Sequence, residues 1–393
     1  MKIMWFCIPA FGHTNPTIEV VRELVKRGHK VRYYSFENFR ERIEDTGAEY
    51  VACDQYLLKP DKKMEKALKR SSTTAMTLNA VETTIMMNDM LVKDIEREKP
   101  DLIVTDSVCF WGKLLAERYQ IPMVCSTTTF AFNQHSSSYT KYSFREICDL
   151  IFGMGKVKKA LKRLEPLGYQ VNSAIDMVQS KNDTDTLVYT SKKFQPFAET
   201  FDSSHYCFAG PSVKEVPVDS TKKKRPLIYI SLGTVVNDYP AFYQNCIEAL
   251  RDEDVDVIIS CGNYIAMDQF KNVPSNITLH RSVNQLEVLA KADVFVTHCG
   301  MNSASEGLYM GVPELLFPQT GEQKAVARRV SEVGAGVLLS EAQAKTGQGI
   351  KAAIKDVLNN PSLKAAAAEM RKDFKESGGY CRAADFIEEC GRK

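Results

Sequence analysis

The chain has 393 residues, 44% of them hydrophobic, which is enough for two domains that each bury a sizeable core. Its 51 basic and 49 acidic residues nearly cancel, so its overall charge indicates neither a nucleic-acid-binding protein nor one held on an anionic membrane. Eleven cysteines without a C-x-x-C pair argue against a zinc knuckle or a redox motif and fit free thiols in the cytoplasm. No apolar run reaches the length of a membrane span.

The first half of the chain alternates short apolar runs with helical patterns. Strands are predicted over 2–8, 30–35, 100–105 and 123–126. A loop at 9–13 and a helix over 17–27 are predicted between the first two strands. Strands separated by helices pair in parallel, so this half is predicted to form a doubly wound α/β sheet.

The second half repeats this scheme. Strands are predicted over 227–231, 255–260, 294–297 and 314–317, and helices over 239–250, 286–291 and 302–309. Residues 209–225 lie between the halves and combine proline and glycine with the basic run Lys222-Lys223-Lys224-Arg225, which is typical of a solvated linker. We therefore predict domains over 1–208 and 226–376 joined by this linker.

The strongest chemical signal is the segment T-H-C-G-M-N-S-A-S-E, which follows the strand ending at Thr297. Asn302 or Ser303 is expected to cap the next helix, whose N-terminus offers unpaired N–H groups and positive potential to an anion such as phosphate. His298 adds a donor, and Glu306 could accept a hydrogen bond from a sugar hydroxyl. Taken alone, the segment is equally compatible with a routine capped helix and a buried histidine.

A second polar pair follows the next strand of the same half. Glu322 and Gln323 lie in the loop after the strand at 314–317, at the sheet edge where ligands of open α/β sheets bind. An acid beside an amide suits the paired hydroxyls of a sugar.

In the first half, His13 follows the first strand and Asp106 follows the strand at 100–105. The carboxyl ends of parallel strands share one edge, so the two side chains are expected to meet. A carboxylate that bonds one imidazole nitrogen raises the basicity of the other, which produces a general base for an acceptor hydroxyl. A lone loop histidine is otherwise most often structural, and His135, His205 and His280 show no evident partner.

These residues resemble a known family. The pattern His298-Cys299-Gly300-x-Asn302-Ser303-x-x-Glu306, with Gly311-Val312-Pro313 and Glu322-Gln323, resembles the donor signature of UDP-sugar-dependent glycosyltransferase family 1, especially bacterial macrolide- and flavonoid-type glucosyltransferases. Ser231-Leu232-Gly233-Thr234 and the loop 9–16 extend the resemblance. It implies the GT-B fold: two Rossmann-like, doubly wound parallel-sheet domains that face each other across a cleft. It also implies that residues 377–393 form a helix that returns to the N-terminal, acceptor-binding domain.

The resemblance implies a role for each matched residue. The diphosphate is held by His298, Gly300, Asn302, Ser303 and Thr234, the ribose by Glu306, the hexose by Glu322 and Gln323, and the uracil by Val283 and Gln285, while His13 and Asp106 form the catalytic pair. Ser282 and Asn284 depart from the aromatic and the proline that many members carry there. The stacking platform for the base is then missing or supplied elsewhere.

The implied reaction is the inverting transfer of a hexose, glucose first, from a UDP-sugar to a hydroxyl of a small hydrophobic acceptor, with no metal or further cofactor. Five aromatic residues follow strand ends and form either core or an acceptor wall: Phe11, Phe110, Trp111, Phe130 and Phe132. The D-x-D letters at Asp183-Thr184-Asp185 fall in a polar loop and are not expected to bind a metal.

Three alternatives stay open at this stage. One is an NAD-dependent oxidoreductase with tandem Rossmann folds, although no G-x-G-x-x-G follows the first strand. The others are a catalytically silent nucleotide-sugar-binding protein and, more distantly, a UDP-sugar epimerase of GT-B fold. The sequence does not indicate the oligomeric state.

Overall fold

In the computed structural model, the chain forms two compact units. The first comprises Met1–Ser212 together with Gly378–Lys393, and the second comprises Val213–Ser377. The structure describes residues 1–56, 58, 72–139, 144–171, 183–216, 224–233, 238–263 and 265–393, so Lys222 and Lys223 of the basic run lie outside the described residues. No helix within these ranges is long and apolar enough to cross a membrane.

The first unit is built on a seven-stranded parallel sheet with the strand order β3-β2-β1-β4-β5-β6-β7. Its strands are β1 (Lys2–Phe6), β2 (Lys30–Ser35), β3 (Glu49–Ala52), β4 (Leu102–Asp106), β5 (Met123–Thr127), β6 (Thr186–Val188) and β7 (Tyr206–Phe208). The four strands predicted for this half are confirmed, with small shifts at their ends. In this doubly wound order, the loops that follow β1 and β4 are neighbours at the carboxyl edge of the sheet.

Helices cover both faces of this sheet. They are α1 (Phe11–Lys26), α2 (Arg40–Glu44), α3 (Thr73–Glu98), α4 (Phe110–Tyr119) and α5 (Phe144–Leu161), with short 3₁₀ turns at Glu37–Phe39, Asp54–Tyr56, Ser136–Tyr139, Lys162–Leu167 and Ala198–Thr200. Alternate residues of β1 enter different apolar clusters: Ile3 and Trp5 lie in one, and Met4 and Phe6 in the other. This is the burial expected of a parallel strand that is covered on both sides.

The start of α1 corrects one prediction. The helix was expected at 17–27 after a loop, but it begins at Phe11, directly after the extended residue Ala10. Pro16, whose presence favours a loop, lies inside the helix, where its fixed φ matches the helical value. The consequence is functional: His13 is held in the first turn of a helix immediately after β1 rather than in a loop.

The second unit contains a six-stranded parallel sheet in the order β10-β9-β8-β11-β12-β13. Its strands are β8 (Leu227–Ser231), β9 (Asp256–Ser260), β10 (Ile277–His280), β11 (Val294–Thr297), β12 (Glu314–Leu316) and β13 (Gly336–Leu338). Its helices are α6 (Pro240–Leu250), α7 (Gln285–Leu289), α8 (Met301–Met310), α9 (Gly321–Glu332), α10 (Glu341–Ala344), α11 (Gly347–Asn359) and α12 (Pro361–Glu376), with a 3₁₀ turn at Met267–Gln269. The strands and helices predicted for this half are confirmed to within one or two residues.

The last helix of the chain, α13 (Gly379–Cys390), packs in the first unit. Its Ile387 side chain lies in the same apolar cluster as the interior of α1. Arg27, just after α1, donates to Asp385 over 2.7 Å and to Glu388 over 3.3 Å. His29 Nε2 lies 2.6 Å from the Glu388 carboxylate. The end of the chain is therefore an integral part of the first unit.

Candidate active site

In the first unit, the ends of two adjacent strands bring His13 and Asp106 together. β1 pairs with β4, with Phe6 opposite Thr105, so α1 and the end of β4 start from the same sheet edge. The Nδ1 atom of His13 lies 2.7 Å from Oδ2 of Asp106. The Asp106 side chain is 1% exposed, whereas that of His13 is 22% exposed. The carboxylate is therefore buried behind an imidazole that water and ligands can reach.

The hydrogen bonds around this pair define which histidine nitrogen is basic. A carboxylate only accepts hydrogen bonds, so the N–H group at Nδ1 donates to Asp106, and Nε2 is the nitrogen that carries the basic lone pair. The second carboxylate oxygen of Asp106 accepts from the backbone N–H of Val108 over 2.9 Å. The hydroxyl of Thr128, after β5, lies 3.2 Å from the same Nδ1. This arrangement suits a general base.

The five candidate aromatic residues divide by burial. Phe110, Trp111 and Phe130 are 3–5% exposed; the first two lie in the apolar core of the first unit, and Phe130 packs against Tyr139 and Phe194. Phe11 and Phe132 are 38% and 39% exposed. Phe11 and Phe132 therefore provide most of the apolar surface that these five residues expose. Phe11 lies two residues before His13 in the sequence.

In the second unit, β11 leads into α8 through a sharp turn. Cys299 adopts a left-handed backbone with φ of 64°, which costs a non-glycine residue about 1–3 kcal/mol, and its N–H donates to the Thr297 hydroxyl over 3.1 Å. The N-cap residue of α8 is Gly300, which corrects the expected cap at Asn302 or Ser303. Those two residues lie in the first turn instead. A glycine has no side chain with which to cap the first N–H groups, which favours an anion there.

The imidazole of His298 lies directly over two glycines. A Cβ atom at Gly233 would lie 2.5 Å from its Nε2, and one at Gly300 would lie 2.7 Å from the same atom. Both positions must therefore lack a side chain for the ring to sit at the start of α8. Burial lowers the pKa of His298 to about 4, against a smaller effect of a hydrogen bond with the Ser231 backbone, so the ring is neutral at pH 7. Within the described chain, its Nδ1 has no hydrogen-bond partner.

Glu306 lies one turn into α8 and is bonded to Gln285, the first residue of α7. The amide nitrogen of Gln285 donates to Oε2 of Glu306 over 2.7 Å and lies 3.4 Å from the hydroxyl of Ser303. Burial raises the pKa of Glu306 to about 7, and the hydrogen bond from Gln285 opposes this increase. Three predicted site residues are thus brought together, with a carboxyl group poised to ionise near neutral pH.

The pair predicted to bind the hexose, Glu322 and Gln323, lies at the start of α9. Glu322 is exposed, whereas Gln323 is largely buried. The side-chain amide oxygen of Gln323 accepts hydrogen bonds from the backbone N–H groups of Gln319 and Thr320, at 2.7 and 3.1 Å. These contacts are part of a capping box at the start of α9. This structural role occupies its oxygen and leaves the amide N–H groups as the part that suits a hexose.

The segment predicted for the base precedes α7. Ser282 and Asn284 are exposed, Val283 is half-buried, and the Asn284 amide donates to Glu287 over 2.6 Å. Thr234, predicted to contact the diphosphate, lies outside the described residues.

Two of the remaining histidines have structural partners. His205, for which no partner was evident from the sequence, lies 2.9 Å from Asp185, and Lys393 donates to the same carboxylate over 2.8 Å. His135 lies 3.4 Å from the Gln134 amide. The described ranges contain no cluster of three or more His, Cys, Asp or Glu side chains suited to a metal ion.

Sequence reasoning missed two residues that contact the site. Thr128 touches His13, and Tyr229 on β8 donates to Gln285 over 3.1 Å. Both act through a partner that is distant in sequence. Thr128 directly follows β5, the strand beside β4, whereas Tyr229 lies in the middle of β8, the strand beside β11.

Comparisons with known proteins agree with this architecture. Residues 244–378 match the family model of the erythromycin biosynthesis protein CIII-like C-terminal domain. The chain is 35% identical to the NDP-glycosyltransferase YjiC of Bacillus licheniformis, over 98% of this chain and 96% of that protein. It is 29% identical to an uncharacterized UDP-glucosyltransferase, YojK, of Bacillus subtilis, with 98% and 96% covered. Among solved structures, the glycotransferase of kitacinnamycin has a TM-score of 0.84 at 26% identity, covering 99% of this chain and 98% of that one.

The two parallel sheets and these matches define a GT-B glycosyltransferase that uses a nucleotide-sugar donor. The chain belongs to glycosyltransferase family 1, as its signature residues indicated. The oxidoreductase alternative is thereby set aside.

Proposed function

We propose that the protein transfers a hexose, most readily glucose, from a UDP-sugar to a hydroxyl of a small hydrophobic acceptor, with inversion at the anomeric carbon. The observation that carries this proposal is the His13–Asp106 pair, with its 2.7 Å hydrogen bond and its exposed imidazole edge. The uncapped start of α8 and the Gln285–Glu306 pair support it from the donor side. The first unit then takes the acceptor, and the second the nucleotide.

The acceptor step begins at His13. Its Nε2 takes the proton from the acceptor hydroxyl while Asp106 stabilises the imidazolium that forms, a contribution of about 10²–10⁴ in rate. The acceptor oxygen then bonds to the anomeric carbon as the bond from that carbon to the diphosphate oxygen breaks. A single displacement of this kind converts an α-linked donor into a β-glycoside.

The leaving diphosphate needs stabilisation of its growing negative charge. We assign this role to the first-turn N–H groups of α8, with Gly300, Asn302 and Ser303, and to the neutral ring of His298 as a hydrogen-bond donor. Thr234 belongs to the same proposal through its match to the family signature. Helix-end potential of this kind supplies the stabilisation without a metal ion.

The other donor contacts follow from chemistry. The carboxylate of Glu306 suits the ribose hydroxyls, and Glu322 with the amide of Gln323 suits the hexose hydroxyls. The Val283 backbone and Gln285 contact the uracil edge. The proposal names UDP because the signature residues are those of UDP-sugar enzymes and because the Bacillus subtilis relative is described as a UDP-glucosyltransferase.

The acceptor is proposed as a small hydrophobic alcohol or phenol. Phe11 and Phe132 expose aromatic surface, and Phe11 is two residues from the base. A related solved structure is that of the glycotransferase of kitacinnamycin, a chain of this same fold.

The decisive experiment measures UDP release from UDP-glucose with a panel of phenols and hydrophobic alcohols. We expect turnover by the wild-type protein and a loss of about 10²–10⁴ in kcat in His13→Ala. His205→Ala is the matched control, since it removes another histidine of the first unit that is bonded to an aspartate, and it should retain activity. Binding of UDP without release for any acceptor would indicate the silent binding protein, and full activity of His13→Ala would remove the base.

A further inference from the structure

Tyr229 lies in the interior of the second unit, beneath the donor site. It belongs to β8, is 1% exposed, and its ring stacks on Phe295 of the neighbouring strand β11 at 5.0 Å between centroids, with the planes 9° apart. Burial raises the pKa of its phenol to about 12, so the hydroxyl keeps its proton at neutral pH. The residue therefore offers a rigidly held hydrogen-bond donor.

The Tyr229 hydroxyl determines how the amide of Gln285 is turned. It donates to Oε1 of Gln285 over 3.1 Å, on the opposite side of the amide from Glu306. Because an ionised carboxylate only accepts, the amide nitrogen must face Glu306, and the carbonyl oxygen must face a donor. Tyr229 is that donor, so the two hydrogen bonds form one directed chain from β8 to α8.

The far end of this chain is the carboxyl group proposed to hold the ribose. The same amide nitrogen also lies 3.4 Å from the Ser303 hydroxyl, in the first turn of α8. If the amide rotated, a carbonyl oxygen would face the Glu306 carboxylate at hydrogen-bonding distance, and the two would repel each other. A fixed amide is therefore required for the carboxylate to keep its place and its charge.

We propose that Tyr229 is a positioning residue for nucleotide recognition, which acts on the ribose through Gln285 and Glu306. This inference rests on the proposed function, because it assigns Glu306 to the ribose. It adds a residue that touches neither the donor nor the acceptor, and whose loss should affect binding of the nucleotide rather than the chemical step.

The test measures UDP affinity by calorimetry for wild type and Tyr229→Phe. We expect UDP to bind about three- to tenfold more weakly to Tyr229→Phe, the usual effect of losing one hydrogen bond, with KM for the sugar donor raised alike and kcat nearly unchanged. Tyr243→Phe is the matched control, since it removes a hydroxyl from another buried tyrosine of the same unit, and it should bind UDP as the wild type does.

Two further measurements separate positioning from a general loosening of the fold. The Tyr229→Phe effect should disappear with 2′,3′-dideoxy-UDP, which lacks the hydroxyls that Glu306 accepts from. It should also disappear in a Gln285→Met background, because the chain is already broken there. Equal weakening toward both nucleotides, or effects of the two substitutions that multiply, would overturn the proposal. Because every comparison is relative to a wild type that binds UDP, failure of wild-type binding would instead reject the proposed function itself.

Discussion

The two histidines of the proposed reaction are set for opposite tasks by their surroundings. His13 is partly exposed and directed by a buried carboxylate, so it can gain and hold a proton. His298 is enclosed between Gly233 and Gly300, and burial lowers its pKa to about 4. In the proposed reaction, His298 therefore contacts the diphosphate as a neutral donor, whereas His13 contacts the acceptor hydroxyl as a base.

The proposed contact of Glu306 with the ribose predicts that nucleoside binding depends on pH. Burial raises its pKa to about 7, so the carboxyl is largely protonated below that pH and ionised above it. The ionised form accepts hydrogen bonds from ribose hydroxyls more strongly. We therefore expect affinity for the nucleoside to fall as the pH decreases through 7, by about tenfold at pH 5.5 relative to pH 8.

Uridine is the appropriate ligand for this titration, because it lacks phosphate groups that gain protons in the same range. Glu306→Gln should bind uridine weakly and with the same affinity at each pH. His298 stays neutral between pH 5.5 and pH 8, so it does not make uridine affinity depend on pH in this range. A wild-type profile as flat as that of Glu306→Gln would contradict the assignment.

At the scale of elements, the packing of β12 on α8 contains an uncompensated acid. Glu314 is fully buried, and within the described residues neither of its carboxyl oxygens has a hydrogen-bond partner. Its Oε1 occupies the space that a Cβ at Gly307 of α8 would need, at 2.3 Å. Burial raises the pKa of Glu314 well above its usual value.

This acid should make stability depend on pH. Because the folded-state pKa is the higher one, the folded chain retains a proton that the unfolded chain loses above about pH 4.3, so stability falls by up to about 1.4 kcal/mol per pH unit as the pH rises from there toward the folded-state pKa. We expect Glu314→Met to raise the free energy of unfolding by about 1–3 kcal/mol at pH 8, with a smaller gain at pH 5. Urea denaturation at the two pH values measures this.

The control for this prediction is Glu376→Gln, at the exposed end of α12, which should alter stability little at either pH. If Glu314→Met destabilised the protein at pH 8, the carboxyl group would have to be making a favourable contact. A gain independent of pH would show that packing rather than charge is responsible.

Element boundaries show what the sequence can and cannot predict. The strands at 227–231 and 294–297 were predictable to the residue, because buried parallel strands are nearly continuous apolar runs. The strand at 30–35 was also predicted to the residue, although Lys30 and Arg32 interrupt its apolar run. The start of α1 was not, because Pro16 favours a loop locally while the helix is held by the sheet beneath it. The cap of α8 was missed for a related reason: the chain places Gly300 where His298 leaves no room for a side chain.

At the scale of the whole molecule, the types of the candidate site residues were predictable, and only some of their contacts were. His13 and Asp106 could be paired in advance because parallel topology alone puts their strand ends side by side. The contact of Gln285 with Tyr229 depends on a rotamer and on a strand 56 positions away, which no local pattern encodes. The return of the last helix could be proposed only from the family resemblance.

That last helix makes the first unit discontinuous in sequence, which has a consequence for stability. Ile387 of α13 is fully buried in the core of the first unit, and Ile354 of α11 is buried to the same degree in the core of the second. Truncating either to alanine removes the same atoms and should cost about 2–5 kcal/mol. The cost should fall on the unit whose core the side chain fills, even though the two positions are close in sequence.

Hydrogen exchange followed by mass spectrometry reads this out segment by segment. In Ile387→Ala, amides of β1 and β2 near the start of the chain should exchange faster, while those of β8 and β11 keep their wild-type protection. In Ile354→Ala, the pattern should reverse. Faster exchange that stays within the last residues of Ile387→Ala would mean that α13 detaches without weakening the sheet, whereas faster exchange in both sheets of either variant would mean that the two units unfold as one. The expected pattern requires that α13, the last helix of the chain, supplies part of the core around β1, the first strand.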